Sequence, residues 1–111
     1  MFPKCTIDSI TLSTDQFNTA TSRLAEAGCA DRVNVHLMDY RLICDKPEWE
    51  GAFDRFVSVE MVEHVGKDYF ETFWSVVDWA LNERNAVGVV QSSTLPEARK
   101  YFRFFSGNYI L

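Results

Sequence analysis

Three residues suited to acid–base chemistry lie close together at 60–64, where Glu60, Glu63 and His64 follow an apolar run of the sequence. Polar residues that directly follow a predicted strand are candidates for a ligand-binding site. The same residues also have a purely structural interpretation, because a carboxylate is favoured in the first turn of a helix. The residue types alone leave both interpretations open.

Polar residues also follow the other apolar runs of the sequence. Ser13 and Gln16 come after the first run, Asp39 and Tyr40 come after the second, and a polar stretch at 91–94 comes after the last. Ligands of open parallel sheets bind beyond the carboxyl ends of the strands. Polar residues at four strand ends therefore predict a binding site at one edge of a sheet.

Apolar periodicity predicts the elements that position these residues. Strands are predicted at 6–12, 33–38, 53–59 and 87–91. The last two have the continuous β-branched character of buried parallel strands. Helices are predicted at 13–28, 68–81 and, with a looser apolar stripe, 97–106. Strands that alternate with helices indicate an α/β fold with a mostly parallel sheet.

Short sequence signals predict where the first two helices begin and end. Ser13 with Gln16, and Asp68 with Glu71, have the spacing of capping boxes. Gly28 predicts that the first helix ends on a residue in the left-handed conformation. An apolar stripe predicts that the second helix packs into the core through Phe70, Phe73, Trp74, Val77 and Leu81.

The remaining reactive side chains have simpler explanations. His36 falls on the more polar face of a predicted strand, so we expect a solvated or hydrogen-bonded histidine rather than a ligand. Cys5, Cys29 and Cys44 are far apart and form no C-x-x-C pair. We expect small, buried free thiols in a reducing compartment rather than a nucleophile or a metal site. The glycines are isolated from one another, so the sequence holds no glycine-rich nucleotide loop.

Length and composition restrict the class of protein. The 111 residues are enough for one small domain or a part of a larger one, and 47% hydrophobic with 24% charged residues indicates a globular chain. A net charge of −5 argues against general nucleic-acid binding. We find no apolar run that could span a membrane and no signal peptide, so we expect a cytoplasmic location.

The charge is unevenly distributed along the sequence. Residues 97–111 hold three basic residues against one acidic residue, and they are rich in aromatic side chains. Such a segment suits peripheral contact with an anionic membrane surface, or simple packing against the rest of the fold. We favour the packing interpretation.

Three strings of sequence occur in order at natural spacing: ITLSTDQ at 10–16, DRVNVHLMDYR at 31–41 and FDRFVSVEMVEHVG at 53–66. Together with VQSSTLPEAR at 90–99 they resemble the cyclopropane-fatty-acyl-phospholipid synthase family, which includes the mycolic acid cyclopropane synthases. These are class I methyltransferases that use S-adenosylmethionine and have a Rossmann-like fold. The resemblance covers nearly the whole chain, and its EHVG segment is the most specific part.

The resemblance implies a set of cofactor-binding residues. They are Thr11, Leu12, Ser13, Gln16, Asp39, Tyr40, Arg41 and Val59. The first four would line the ribose of S-adenosylmethionine, and Gln16 would bond the ribose hydroxyls. Asp39 would accept from the adenine amino group, while Tyr40 and Arg41 would lie beside adenine. Val59 would contact the cofactor near the reacting centre.

The resemblance also implies a reaction. A methyl group would pass to the double bond of an unsaturated phospholipid or another lipid acyl chain, and a bicarbonate ion would then remove a proton. Glu63 would hold that bicarbonate, assisted by the main chain of His64. Alternatives are methyl transfer to a sphingolipid or other small molecule, and a non-enzymatic remnant that binds a partner.

The family pattern is incomplete in this sequence. The glycine-rich cofactor loop of the family precedes its ITLS strand, and further strands follow its counterpart of residue 110. We therefore expect a single partial methyltransferase domain, residues 1–111, that lacks the first and last strands of the parent fold. Without the central first strand, the sheet would separate into two half-sheets with unpaired edges. We expect marginal stability and no activity of the chain by itself.

Overall fold

The computed structural model describes residues 5–94. The chain consists of two compact units, and the boundary between them in the sequence falls between Leu42 and Ile43. We describe each unit by itself. The predicted helix at 97–106 and the basic, aromatic segment lie outside the described residues. Within the described residues, no helix is long and apolar enough to cross a membrane.

The first unit is a β-α-β arrangement. Strand β1 (Ile7–Thr11) and strand β2 (Val33–Leu37) form a parallel two-stranded sheet, in which Ile7 lies opposite Val33. Helix α1 (Thr14–Glu26) connects the strands and packs beside both. The helix is followed by Gly28 at φ +63°, which confirms the predicted left-handed residue.

Side-chain hydrogen bonds cross one face of this sheet. Asp8 Oδ1 accepts from Asn34 Nδ2 at 3.2 Å and lies 2.8 Å from His36 Nε2. The prediction of a hydrogen-bonded His36 is therefore confirmed. No side chain described in this first unit is fully buried.

The second unit repeats the β-α-β arrangement. Strand β3 (Arg55–Val59) pairs in parallel with strand β4 (Val87–Gln91), and Val57 lies opposite Val89. A short helix α2 (Val62–Val65) and helix α3 (Phe70–Ala80) connect the two strands. A six-residue 3-10 helix covers Tyr40–Asp45, across the boundary between the units in the sequence, and three-residue 3-10 turns cover Pro47–Trp49 and Lys67–Tyr69.

The small core of the second unit lies between α3 and one face of its sheet. Phe73 is 2% exposed, and its ring meets that of Phe56 edge-on with centroids 6.1 Å apart. Val76 is also buried, and Trp49 packs edge-on against Phe53 at 5.5 Å. The predicted core stripe of α3 is therefore only partly correct, because Phe70 and Trp74 remain exposed.

The described strands form two two-stranded parallel sheets, β1 with β2 and β3 with β4. The predicted α/β class with parallel strands is confirmed. The prediction that 53–59 and 87–91 are buried strands is wrong. Ser58 is buried, but Val57 and Val59 are exposed, and every residue of β4 is exposed. These valines have the composition of a doubly covered sheet, yet α3 covers only one face.

The two predicted capping boxes have different outcomes. Ser13 caps α1 because its hydroxyl accepts from the Gln16 main-chain N–H at 3.2 Å. The reciprocal bond is absent, since the Ser13 N–H donates to Thr11 Oγ1 instead. The second box is wrong: Asp68 lies in a 3-10 turn, and α3 begins after Tyr69 without a side-chain cap. The prediction of buried cysteines is also wrong, because Cys5 and Cys44 are exposed and Cys29 is half-buried.

Candidate functional site

A carboxylate cluster lies at the carboxyl ends of β3 and β4. Ser93 Oγ donates to both oxygens of Glu60, at 3.0 and 2.8 Å, and Gln91 Nε2 donates to the same carboxylate. Glu63 accepts from Ser92 Oγ at 3.0 Å and from the Ser93 main-chain N–H at 3.2 Å. The parallel pairing of β3 with β4 is what brings these distant parts of the sequence to one edge.

The backbone at Glu60 is unusual. Its φ of +51° is the only positive φ at a non-glycine residue in the described part of the chain. A side chain in this region costs roughly 1–3 kcal/mol unless the surroundings hold it. Here the Glu60 N–H donates to the Gln91 carbonyl at 2.9 Å, and the carboxylate bonds to Gln91 and Ser93. The strand end of β4 thus stabilises an unfavourable turn at the end of β3.

Hydrogen bonding strongly favours the ionised form of Glu63. Its own main-chain N–H is the largest influence, followed by the Glu60 side chain and by Ser93 and Ser92, and partial burial opposes them. Together they lower the pKa of Glu63 to about 2. Glu63 is therefore a carboxylate at neutral pH, able to accept hydrogen bonds but not to donate a proton.

His64 and Val59 do not join this cluster. His64 is exposed, and its main-chain N–H donates to the Met61 carbonyl at 2.9 Å within the turn that begins α2. The main-chain donor expected beside Glu63 is therefore already used. Val59 is 62% exposed at the end of β3, opposite Gln91 in the register.

The predicted cofactor residues of the first unit lie at the carboxyl edge of its sheet. Thr11 Oγ1 donates to Gln16 Oε1 at 2.7 Å, and the Ser13 N–H donates to Thr11 Oγ1 at 3.1 Å. Leu12 between them is 70% exposed. The structure thus brings Thr11, Leu12, Ser13 and Gln16 together around the start of α1, which presents an amide, hydroxyls and an apolar surface.

Asp39 and Arg41 lie after β2 and engage one another. Asp39 accepts from the Arg41 main-chain N–H at 2.9 Å, from Nε at 3.0 Å and from Nη2 at 2.6 Å. The hydrogen bonds from the Arg41 side chain, and then from its main-chain N–H, lower the pKa of Asp39 below its usual value. Arg41 thus takes three of the roughly four acceptor positions of the carboxylate that we expected to accept from adenine. Tyr40 is half-buried at the start of the following 3-10 turn.

Four members of the carboxylate cluster were not among the catalytic and cofactor-binding residues predicted from the sequence. Glu60, Gln91, Ser92 and Ser93 were recognised as polar residues at strand ends, but none was included among the catalytic or cofactor-binding residues. The available signal was their position, because the ends of two adjacent parallel strands meet at one sheet edge. The positive φ of Glu60 has no signal in the sequence, since glutamate rarely adopts it.

Comparison with known families identifies the chain. Residues 4–110 match the family described as mycolic acid cyclopropane synthetase. The match extends through both units and includes the residues of both sheet edges. The chain belongs to this family.

Curated relatives agree with this assignment. The chain is 34% identical over 93 residues to tuberculostearic acid methyltransferase UfaA1 of Mycobacterium tuberculosis, a match that covers 84% of this chain and 20% of the relative. It is 44% identical over 57 residues to a probable fatty acid methyltransferase of Pseudomonas putida, a match that covers 51% of this chain and 14% of the relative. It is 37% identical over 70 residues to the cyclopropane-fatty-acyl-phospholipid synthase of Escherichia coli K12, a match that covers 62% of this chain and 15% of the relative.

The chain spans about a fifth or less of the length of these relatives. No solved structure gives a significant match.

Proposed function

We propose that this chain is part of a lipid methyltransferase that uses S-adenosylmethionine and acts on the double bond of an unsaturated acyl chain. The observation that carries the proposal is the ionised Glu63, held at the carboxyl edge of a parallel sheet in a chain of this family. The names of the three relatives refer to fatty acids or to fatty-acyl phospholipids, which favours a lipid over another small molecule.

The first unit supplies groups that suit the adenosine half of S-adenosylmethionine. The Gln16 amide and the Thr11 hydroxyl can exchange hydrogen bonds with ribose hydroxyls, and exposed Leu12 offers an apolar surface. Tyr40 supplies an aromatic ring suited to stacking on a purine. Asp39 suits the adenine amino group less well, because Arg41 already occupies its carboxylate. When bound, the cofactor would supply an electrophilic methyl group.

Glu63 and its partners suit a role as a fixed hydrogen-bond acceptor. A carboxylate with a pKa of about 2 stays ionised and can accept from the hydroxyl of a bicarbonate ion. It would orient that ion and would not remove the substrate proton itself. The adjacent Glu60 carboxylate opposes an anion at this edge, so we expect weak bicarbonate binding that the Glu60→Gln variant strengthens.

We also propose that the chain does not complete the reaction by itself, because its sequence holds no glycine-rich loop for the methionine half of the cofactor. Methyl transfer from labelled S-adenosylmethionine to unsaturated phospholipid vesicles should give no product with this chain. Accumulation of methylated lipid would contradict this part of the proposal. Because a phospholipid substrate lies in a membrane, we propose that the enzyme acts at a membrane surface.

Cofactor binding is tested by calorimetric titration of the chain with S-adenosylhomocysteine. Tyr40→Ala and Gln16→Ala should each weaken binding at least threefold, since each removes a contact with the adenosine. Ser22→Ala is the control, because Ser22 lies on the exposed surface of α1 and bonds only to Glu26. Equal affinity in all four proteins would remove Tyr40 and Gln16 from the site. Absence of binding in a folded chain would favour the non-enzymatic alternative.

A further inference from the structure

The carboxylate of Glu60 lies between the end of β4 and Glu63. It accepts from the Gln91 side-chain amide and from Ser93 Oγ, which lies 3.0 and 2.8 Å from its two oxygens. The Glu63 carboxylate is also within hydrogen-bonding reach of Glu60. We call the place defined by Gln91, Ser93 and Glu63 the carboxylate position, and the Glu60 side chain fills it.

The carboxylate position has the hydrogen-bonding groups that a bicarbonate ion needs. A bicarbonate ion presents two acceptor oxygens, as a carboxylate does, and adds a hydroxyl that can donate. The Gln91 amide and the Ser93 hydroxyl are donors for the oxygens, and ionised Glu63 is an acceptor for the hydroxyl. Because these groups already bond to Glu60, the ion and the Glu60 side chain exclude one another.

The main chain of Glu60 is fixed by the same strand end as its carboxylate. Its N–H donates to the Gln91 carbonyl at 2.9 Å, and its φ is +51°. Glycine adopts such a φ readily, whereas a glutamate needs compensating contacts. The bonds of the carboxylate to Gln91 and Ser93 are contacts of this kind. They give a physical reason why a glutamate is retained at a place that suits glycine.

We propose that Glu60 takes the place of bicarbonate as the proton acceptor at this edge of the sheet, an inference that rests on the proposed methyltransferase function. After methyl transfer the acyl chain carries a positive charge, and a neighbouring C–H bond breaks. The electron pair of that bond closes a ring or forms a double bond, and the proton passes to an oxygen of Glu60. The acid form of Glu60 then donates to ionised Glu63, as the hydroxyl of bicarbonate would.

Bicarbonate binding to the chain tests this assignment without cofactor or lipid. The line width of isotopically labelled bicarbonate in NMR spectra, followed during a titration, gives the dissociation constant. Glu60→Gly should bind the ion at least tenfold more tightly than the unsubstituted chain, because it leaves the carboxylate position empty and tolerates the positive φ. Glu48→Gly is the control, since it removes an exposed carboxylate outside the cluster.

Glu60→Gln separates occupancy from charge. Glutamine removes the negative charge but keeps a side chain of the same length, so it should strengthen bicarbonate binding less than threefold. Equal affinities of Glu60→Gln and Glu60→Gly would overturn the proposal, because charge repulsion alone would then explain weak binding. Binding by the unsubstituted chain as tight as by Glu60→Gly would overturn it as well.

Further variants locate the bound ion and cover a failure of Glu60→Gly to fold. Adding Gln91→Leu to Glu60→Gly should remove most of the gained affinity, since the ion loses the amide donor. Unchanged affinity there would place the ion elsewhere and contradict the proposal. Glu60→Asn has a shorter side chain and also tolerates a positive φ, so it should reproduce a several-fold gain if the glycine variant is unfolded.

The result can be distinguished from that of the proposed function. Titration with S-adenosylhomocysteine reports on the first unit, whereas bicarbonate binding reports on the second. Binding of S-adenosylhomocysteine without a gain of bicarbonate binding in Glu60→Gly would remove Glu60 as the proton acceptor and leave the methyltransferase proposal in place. A gain of bicarbonate binding without S-adenosylhomocysteine binding would support the placement of Glu60 and contradict the proposed function.

Discussion

Ser58 is the buried polar side chain whose hydroxyl has no hydrogen-bond partner in the described part of the chain. A buried hydroxyl without a partner costs roughly 1–3 kcal/mol. Ser58→Ala should therefore raise the free energy of unfolding by about 1 kcal/mol in urea denaturation. Ser75→Ala is the control, because Ser75 is exposed and donates to the Glu71 carbonyl at 2.8 Å. A loss of stability in Ser58→Ala would indicate that the hydroxyl has a partner in solution.

Glu63 makes the stability of the fold depend on pH in the acid range. Its pKa falls from 4.5 to about 2 on folding, so the stabilisation is fully present above pH 4.5. It is lost progressively as the pH falls towards 2, because protonation removes the hydrogen bonds that favour the carboxylate. Glu63→Gln should therefore flatten the dependence of unfolding free energy on pH between 5 and 2.

The matched variant for this measurement is Glu48→Gln, which removes a carboxylate exposed on a 3-10 turn of the same unit. The unfolding free energy of the Glu48→Gln protein should depend on pH as steeply as that of the unsubstituted chain. If the Glu63→Gln protein showed the same pH dependence, folding would not favour the ionised form of Glu63, and its pKa would not fall on folding.

The sequence predicted individual residues best where local chemistry decides their position. Ser13 caps a helix and Gly28 has a positive φ, as their short-range patterns indicate. Asp39 was placed correctly after a strand, but its pairing with Arg41 was not foreseen. That pairing depends on side-chain rotamers, which no spacing rule specifies.

At the scale of elements, the two helix starts provide a direct comparison. Ser13→Ala should destabilise the first unit by about 1 kcal/mol, because the cap of α1 loses its acceptor. Asp68→Ala should change stability by less than half as much, since Asp68 caps no helix although its sequence signal is equally good. Circular dichroism during urea denaturation measures both. Equal losses would show that Asp68 caps α3 in solution.

All four predicted strands and the first two predicted helices exist in the described residues, but their burial was predicted less well. β-branched runs such as Val87–Gln91 indicate strands because such side chains fit a pleated surface. The same composition suggests coverage on both faces, which depends on elements distant in the sequence. Periodicity therefore predicted the strands correctly. The exposure of their side chains depends on which other elements pack against each face of the sheet, and a local pattern does not specify this.

At the scale of the whole molecule, buried apolar side chains are few and unevenly distributed. Among residues 5–94, the buried apolar side chains are Trp49, Phe73 and Val76, and all belong to the second unit. The hydrophobic effect is the dominant favourable contribution to folding, so little burial means little stability. We expect an unfolding free energy below the ~5–15 kcal/mol typical of natural domains.

Hydrogen exchange measured by mass spectrometry tests how that stability is distributed. Amides of α3 should exchange at least tenfold more slowly than amides of α1, because α3 contributes Phe73 and Val76 to a core while α1 buries no side chain fully. Protection reflects the free energy of local opening, and poorly packed elements open first. Equal protection of α1 and α3 would contradict this expectation, because it would mean that the two helices open with the same free energy although only α3 contributes side chains to a core.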